Sequence, residues 1–175
     1  LDWEGVTGRL PEGVRVIFYP KDTQGRKIDT YLPAKGGEMK VPPGHYLAVI
    51  YNYDTEVMQV KGEDSYETIM ACTGNCTGLG DSETENMVWG PDNFYVATLD
   101  DVEIGKGEEL PTLEVRPKSV VTTYIFSIKT EGLKNVSSII GSVSGMAECY
   151  HLGKGAGLCR FAPIYCETGK GNGVI

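Results

Sequence analysis

Short runs of alternating apolar and polar residues recur along the chain, and most of them end at Gly, Pro, Asn or Asp. This period-two pattern is typical of β-strands, because successive side chains of a strand point to opposite faces. No long window shows the i, i+3, i+4, i+7 spacing of a helix. The pattern predicts an all-β protein with strands at Val14–Tyr19, Ile28–Leu32, His45–Tyr53, Val57–Val60, Ser65–Cys72, Met87–Trp89, Phe94–Leu99, Val102–Ile104 and Val120–Ile128.

The run His45–Tyr53 is the strongest of these strands. Both of its faces are apolar, with Tyr46, Ala48 and Ile50 on one face and Leu47, Val49 and Tyr51 on the other. Two apolar faces are typical of a central strand that is covered on both sides. The preceding Pro43-Gly44 predicts a type II turn in which Gly44 has a positive φ.

A polar, Gly-containing stretch at Gly105–Pro111 is the best candidate linker. It predicts a β-sandwich domain at residues 1–110 and the start of a second sandwich at 111–175. The second part has about 65 residues, which are few for a sandwich that folds alone. We expect it either to pack on the first domain or to be the front half of a longer, incomplete domain.

The net charge of −8 and the 41% of hydrophobic residues narrow the class of protein. An acidic surface repels phosphate, so nucleic acid is not expected as a partner. No apolar stretch reaches the roughly 20 residues that a membrane-spanning helix needs. The chain begins at Leu1 rather than at Met, which is compatible with a removed signal peptide and export.

Five cysteines, an odd number, are the first candidates for chemistry: Cys72, Cys76, Cys149, Cys159 and Cys166. The close spacing of Cys72 and Cys76 allows a zinc site, with Cys149 and His151 as further ligands and Cys159 or Cys166 completing the set. It equally allows a local disulfide, or thiols that are free or paired elsewhere. The sequence leaves these three alternatives open.

Catalytic patterns are missing from the sequence. His45 and His151 are the two histidines, and His45 is expected at the surface at the start of a strand. No Ser lies in a Gly-x-Ser-x-Gly elbow, and no base is placed beside a nucleophile. Gly153–Gly157 is interpreted as the turn of a hairpin rather than as a phosphate loop. We therefore predict a non-enzyme with no catalytic residue, no cofactor and no metal site.

Several motifs occur in a fixed order along the chain: Asp2-Trp3, Pro11–Pro20, Val41–Tyr46, Tyr51–Glu56, and then Leu113–Pro117, Tyr124–Ile128 and Gly132-Leu133. In this arrangement the chain resembles a domain family of outer-membrane lipoproteins of gut Bacteroidales, and it is similar in layout to the fimbrillin-associated (minor fimbrium) anchor proteins of these bacteria. The resemblance covers most of the chain. Its motifs are structural, so they specify the fold better than the activity.

The resemblance implies an antiparallel β-sandwich of Greek-key, transthyretin-like type, in two tandem copies of which the second is incomplete in this chain. It also implies a surface-exposed lipoprotein of the outer membrane, held by a lipid upstream of Leu1. The expected role is structural or adhesive, anchoring or assembling fimbriae, with other surface or fimbrial proteins as partners. The alternative is a glycan-binding surface lipoprotein of a polysaccharide-uptake system.

Overall fold

The computed structural model describes residues 1–6, 9–22, 25–76, 87–107, 111–129, 131–132, 134, 139–157 and 161–168. This part of the chain contains twelve β-strands and no α-helix. The strands are β1 (Gly13–Pro20), β2 (Ile28–Pro33), β3 (Gly44–Asn52), β4 (Met58–Lys61), β5 (Met70–Thr73), β6 (Val88–Trp89), β7 (Tyr95–Ile104), β8 (Lys118–Ser119), β9 (Ile139–Ala147), β10 (Cys149–His151), β11 (Ala156–Gly157) and β12 (Phe161–Thr168).

The largest sheet, sheet A, has five antiparallel strands in the order β2-β1-β3-β7-β8. Strand β3 lies at its centre, paired with β1 on one side and with β7 on the other. This confirms the central strand that its two apolar faces predict. The all-β, antiparallel sandwich is confirmed with it.

Two smaller sheets contain strands from both halves of the chain. Sheet B has the order β11-β10-β5-β4, and sheet C has the order β6-β12-β9, in which β6 and β12 run parallel. Residues 149–157 therefore complete a sheet begun by residues 58–73, so this part of the second segment packs on the first. The division at residue 110 stays a prediction.

Hydrophobic side chains form two cores, one on each face of sheet A. The inter-sheet core lies between sheets A and B and contains Ile17, Tyr19, Val49, Tyr51, Ile69, Ala71, Phe94, Val96 and Leu152. The outer core lies on the opposite face and contains Val14, Val16, Phe18, Tyr46, Ala48, Ile50 and Val102. The outer core is covered by irregular segments near Trp3, Met39 and Val115 rather than by another sheet. Both faces of sheet A are therefore covered, and its accessible backbone lies at its edges.

A buried amide fixes the end of the central strand against the start of β7. The Asn52 carbonyl accepts a hydrogen bond from the Tyr95 N–H at 2.8 Å, and its amide nitrogen donates to the Asn93 carbonyl at 3.1 Å. Asn52 is 3% exposed, so these bonds supply the partners that a buried amide needs. They hold the register in which β7 lies along β3.

The long strand predicted at Val120–Ile128 is wrong. Strand pairing stops at Ser119, and residues 121–129 have no strand structure. The alternation and the β-branched residues are present, but a strand also needs a neighbour to accept its backbone hydrogen bonds. Among the described residues no such neighbour lies beside this segment.

Gly44 corrects the predicted turn, because it has no positive φ and is instead the first residue of β3. Glycine is favoured there by space. A Cβ on Gly44 would lie 3.3 Å from the ring of Tyr46, whose hydroxyl donates to the Pro42 carbonyl at 2.9 Å. The aromatic ring folds back over the turn and occupies the volume of a side chain.

Two further strand boundaries differ from the prediction. Residues 65–69 form a hydrogen-bonded turn, with the Ile69 N–H donating to the Ser65 carbonyl at 3.0 Å, and strand β5 begins only at Met70. The separate strands at Phe94–Leu99 and Val102–Ile104 are one strand, β7. Asp100 and Asp101 are both exposed and lie at a shift of the register with β3, since Leu99 pairs with Ala48 and Val102 with Tyr46. The strand continues through this irregularity to Ile104.

Candidate functional site: the open edge of strand β7

Strand β7 is paired along one side only. It lies against β3 from Val96 to Ile104 on that side, but on its other side β8 pairs with Tyr95 and Val96 alone. The outer edge of residues 97–104 has no strand partner in the described part of the chain. Every second residue of an edge strand directs its N–H and C=O groups away from the sheet, where they can pair with another chain.

Residues 115–120, named here the crossing segment, define where the open edge begins. Val115 packs against the outer core and Val120 against the inter-sheet core, so the chain passes from one face of sheet A to the other around the β7 edge. Pro117 is fully buried at the midpoint. The Val120 N–H donates to the Phe94 carbonyl at 3.0 Å. Beyond this crossing no strand of the described ranges pairs with the outer edge of β7.

A cleft of about 420 Å³ runs between the β7 edge and the crossing segment. Val96, Ala97, Thr98 and Leu99 form one wall, Val115, Arg116 and Lys118 contribute to the opposite side, and Tyr150 and Leu152 are also part of the lining. The cleft is therefore partly apolar, with charged groups on one wall. This combination suits an extended peptide whose backbone pairs with the edge while its side chains enter the cleft.

The far half of the edge is charged. The Tyr66 hydroxyl donates to Asp100 at 2.8 Å, and Lys21 forms an ion pair with Asp101 at 2.6 Å. The hydrogen bond from Lys21 lowers the pKa of Asp101 below its usual value. Charged side chains discourage unspecific pairing at a sheet edge. The region open to an apolar strand is thus concentrated at residues 97–99, beside the cleft.

An extended apolar segment follows the crossing segment. Tyr124, Ile125, Phe126 and Ile128 are 57%, 70%, 44% and 68% exposed. The rings of Tyr124 and Phe126 stack at 6.5 Å, which places them on the same side of the chain. Four large apolar side chains exposed within five residues are typical of a surface that contacts other protein.

The densest polar cluster, around Arg15, serves the fold. The five N–H groups of its guanidinium are all donated, to Asp29, Glu63 and the Tyr51 hydroxyl. The hydrogen bonds from Arg15 lower the pKa of Asp29, and burial raises the pKa of Tyr51. With every donor used inside the molecule, Arg15 joins β1 and β2 to the turn after β4 and has no donor left for a ligand.

The cysteines resolve the alternatives left open by their spacing. Cys72 forms a disulfide with Cys149, whose Cα lies 4.1 Å away across the β5–β10 pair, while Cys76 is a buried free thiol. The local disulfide and the zinc site built on Cys72 and Cys76 are therefore wrong, and pairing elsewhere is correct. Cys166 is also a free thiol, and Cys159 lies outside the described residues.

The histidines have ordinary structural roles. His151 is buried, and its Nδ1 accepts a hydrogen bond from the Lys154 N–H at 3.1 Å while its Nε2 lies 2.7 Å from the Glu67 carbonyl. Since Nδ1 accepts, Nε2 carries the proton and donates to Glu67. His45 is exposed at the start of β3, as expected. No group of three potential metal-ligating side chains lies together among the described residues.

Neither tryptophan offers a free stacking platform for a sugar. The Trp3 indole N–H donates to the Ala34 carbonyl at 2.7 Å, and its ring meets Tyr95 edge to face at 5.7 Å. Trp89 meets Tyr165 in the same manner at 5.3 Å. Both indoles are used in internal contacts, so the alternative of glycan binding gains no support from them.

The open β7 edge therefore remains the strongest candidate, and sequence reasoning did not find it. A backbone edge has no residue type of its own, and the pair Asp100-Asp101 was its one signal in the sequence. Across the described ranges, no helix has the length and apolar character needed to cross a membrane.

Known proteins of Bacteroides ovatus are similar to this chain in sequence and in fold. One, named "Putative fimbrium anchoring subunit Fim4B", is 54% identical over 175 residues, which are 100% of this chain and 53% of that protein. The crystal structure of "a putative adhesin" is also 54% identical, with a TM-score of 0.89 over 98% of this chain and 60% of that one. The chain thus spans little more than half of the length of these relatives.

The resemblance to fimbrillin-associated anchor proteins is confirmed by these relatives. A family model described as a domain of unknown function, DUF5119, matches residues 1–167. Because the match covers nearly all of the sequence, the chain belongs to the DUF5119 family.

Proposed function

We propose that this chain is part of a cell-surface lipoprotein with a structural or adhesive role, which holds or assembles fimbriae at the outer membrane. The observation that carries the proposal is the 54% identity, over all of this chain, to a protein named as a fimbrium anchoring subunit. Sequences this similar share a fold and most surface features. Because the chain spans 53% of that relative, the role concerns the whole protein of which this chain forms a part.

The β7 edge supplies a way to hold a partner. An extended segment of a fimbrial or other surface protein would pair with residues 97–99 and insert side chains into the adjoining cleft. Main-chain hydrogen bonds give such a contact its strength, and the cleft gives it selectivity. The net charge of −8 disfavours nucleic acid as a partner, because an acidic surface repels phosphate.

Attachment to the outer membrane would come from a lipid upstream of Leu1. The Cys72–Cys149 disulfide supports export, because disulfides persist in oxidising compartments outside the cytoplasm. Each buried CH₂ of an acyl chain contributes about 0.8 kcal/mol, and two or more chains give stable anchoring. Labelling cells with a palmitate analogue tests this part: label in the membrane-bound protein is expected, and its absence contradicts lipid anchoring.

The role itself is tested in cells that make fimbriae and lack the gene. We expect fimbriae to be lost from the surface or shed into the medium, and wild-type protein to restore them, as counted by electron microscopy. Fimbriae that stay attached and normal in length without the gene would contradict the proposal.

The site is tested separately by photo-crosslinking in the same cells. A photoreactive residue at the exposed Thr98 of β7 is expected to form a covalent product with a fimbrial subunit. The matched control is Tyr31, which is 57% exposed on β2 at the opposite edge of sheet A. Fimbriae that depend on the gene, together with a crosslink from Tyr31 but none from Thr98, would refute the β7 edge and leave the role intact.

We propose as well that a second sandwich begins at residue 111. The exposed Tyr124–Ile128 segment supports this, because its β-branched and aromatic side chains suit a strand of a further sheet. Cleavage within Gly105–Pro111 is expected to leave residues 1–110 folded while the Cys72–Cys149 disulfide is intact, because β10 and Leu152 then stay in place against sheet B and the inter-sheet core. Unfolding of that fragment would show that the two parts form one cooperative unit.

A further inference from the structure

The crossing segment lies beside the β7 edge that we propose as the binding site, and residues outside sheet A hold this segment in place. The crossing segment covers β7 at Tyr95 and Val96 through β8, and it lines one side of the cleft. Its position therefore decides how much of the β7 backbone is accessible. The polar contacts that hold its N-terminal end come from the first residues of the chain.

Residues 2–4, named here the N-terminal latch, bind the crossing segment directly. The Asp2 N–H donates to the Val115 carbonyl at 2.8 Å. The Asp2 carboxylate accepts from Arg116 Nε at 2.7 Å, and Glu4 pairs with the same guanidinium at 3.1 Å. One backbone hydrogen bond and two ion pairs thus join two segments that are more than 100 residues apart in sequence.

The latch is fixed in turn to the body of the molecule by Trp3. Its indole N–H donates to the Ala34 carbonyl, and its ring contacts both the outer core and Tyr95, the first residue of β7. Trp3 therefore connects the latch to β7 at the position where β8 pairs. The latch, the crossing segment and the start of the open edge form one contiguous set of contacts.

The ion pairs of the latch are weak because they are exposed. Arg116 is 55% and Asp2 45% exposed, and ion pairs at such exposure contribute little in water. A cleft of about 270 Å³ lies between residues 4–6 on one side and residues 117–119 on the other. The latch is therefore a weak contact on the surface of a well-packed sheet. Local opening of a protein begins at such weak contacts.

We propose that the N-terminal latch regulates access to the β7 edge: when Asp2 and Trp3 are engaged, the crossing segment is held over the start of the edge, and when they are released the edge lengthens toward Tyr95. This rests on the proposed use of the β7 edge as a binding site. A tether upstream of Leu1 would transmit force from the membrane first to the latch. Tension would then release the latch and expose the start of the β7 edge.

Amide hydrogen exchange tests the latch without any partner, so its failure leaves the proposed function untouched. In Arg116→Gln we expect exchange to rise about two- to fivefold at Val96 and at residues 118–120, which lie at the β7–β8 contact, in keeping with the loss of exposed ion pairs. Trp3→Ala should raise it further at the same amides. The amides of β3 report global stability and should change less in both variants.

The matched control is Lys21→Gln, which removes an ion pair with Asp101 at the other end of β7. It should leave exchange at Val96 and at residues 118–120 unchanged. Combining Asp2→Asn with Arg116→Gln should add little to Arg116→Gln alone, since both changes break one contact. Amide exchange at the β7–β8 contact that stays unchanged in Arg116→Gln and Trp3→Ala would overturn the proposal. An equal rise in exchange at the amides of β3, or in the Lys21→Gln control, would also overturn it.

Discussion

The disulfide between Cys72 and Cys149 gives the sharpest prediction for stability. It closes a loop of 77 residues and joins β5 to β10 in sheet B. The perturbation is the double variant Cys72→Ala/Cys149→Ala, which removes the crosslink and leaves no free thiol in its place. Because Cys72 is buried between strands, alanine is preferred to serine, which would bury a hydroxyl.

The size of the effect follows from the loop length. For 77 residues, the chain-entropy relation gives about 15 cal/mol/K of entropy that the crosslink removes from the unfolded chain, or about 4.5 kcal/mol at room temperature. Native disulfides of small secreted domains are worth about 2–5 kcal/mol by measurement. We expect the free energy of unfolding of the double variant to fall within that range.

The assay is urea unfolding at equilibrium, followed by fluorescence and circular dichroism. The double variant should have a lower midpoint and a larger m-value, because its unfolded chain is more expanded. The control is Cys76→Ala, which removes a buried free thiol but no crosslink. A loss below about 1 kcal/mol in the double variant, or an equal loss in the control, would refute the reasoning from loop closure.

Three further predictions concern single residues. Gly62→Ala should lower stability by about 2–3 kcal/mol in thermal unfolding, since Gly62 has a φ of 68° and a Cβ there would lie 2.2 Å from the Thr68 carbonyl oxygen. Gly44→Val should cost about 1 kcal/mol or more and Gly44→Ala less, because the added methyl groups press on the ring above the turn; equal midpoints for all three would contradict this. Arg15 lowers the folded-state pKa of Asp29, so the stability from this pair is present above about pH 4 and lost on further acidification. Asp29→Asn should therefore flatten the fall in stability below about pH 4, and an unchanged pH profile would show that the pair contributes nothing.

The strands of sheet A were predictable because local pattern and burial agree there. From Tyr46 to Tyr51 of β3 each side chain belongs to one of two alternating apolar sets, and both sets are covered. Where β7 carries Asp100 and Asp101, the apolar pattern breaks and the register with β3 shifts, although pairing resumes at Val102. Charged residues are tolerated because their side chains reach solvent at the edge, and the sequence does not state which strand is an edge.

Residues 120–128 show the converse failure. Their β-branched and aromatic side chains suit a strand, but strand formation depends on a neighbour whose position is set by the rest of the fold. The same dependence hid the disulfide partner of Cys72, since Cys149 meets it only through the pairing of β5 with β10. Spacing along the chain left Cys76, four residues away, as one of several possible partners, and in the structure it is a free thiol.

The candidate site follows the same logic, because an open edge results from what lies beside it. The edge of β7 is free at Ala97 since the crossing segment leaves the sheet there, drawn around it by Val115 on one face and Val120 on the other. None of these residues has a chemistry that marks a binding site. Their placement leaves the outer backbone edge of residues 97–99 without a strand partner among the described residues, beside a partly apolar cleft. A binding edge of this kind follows from topology rather than from a motif.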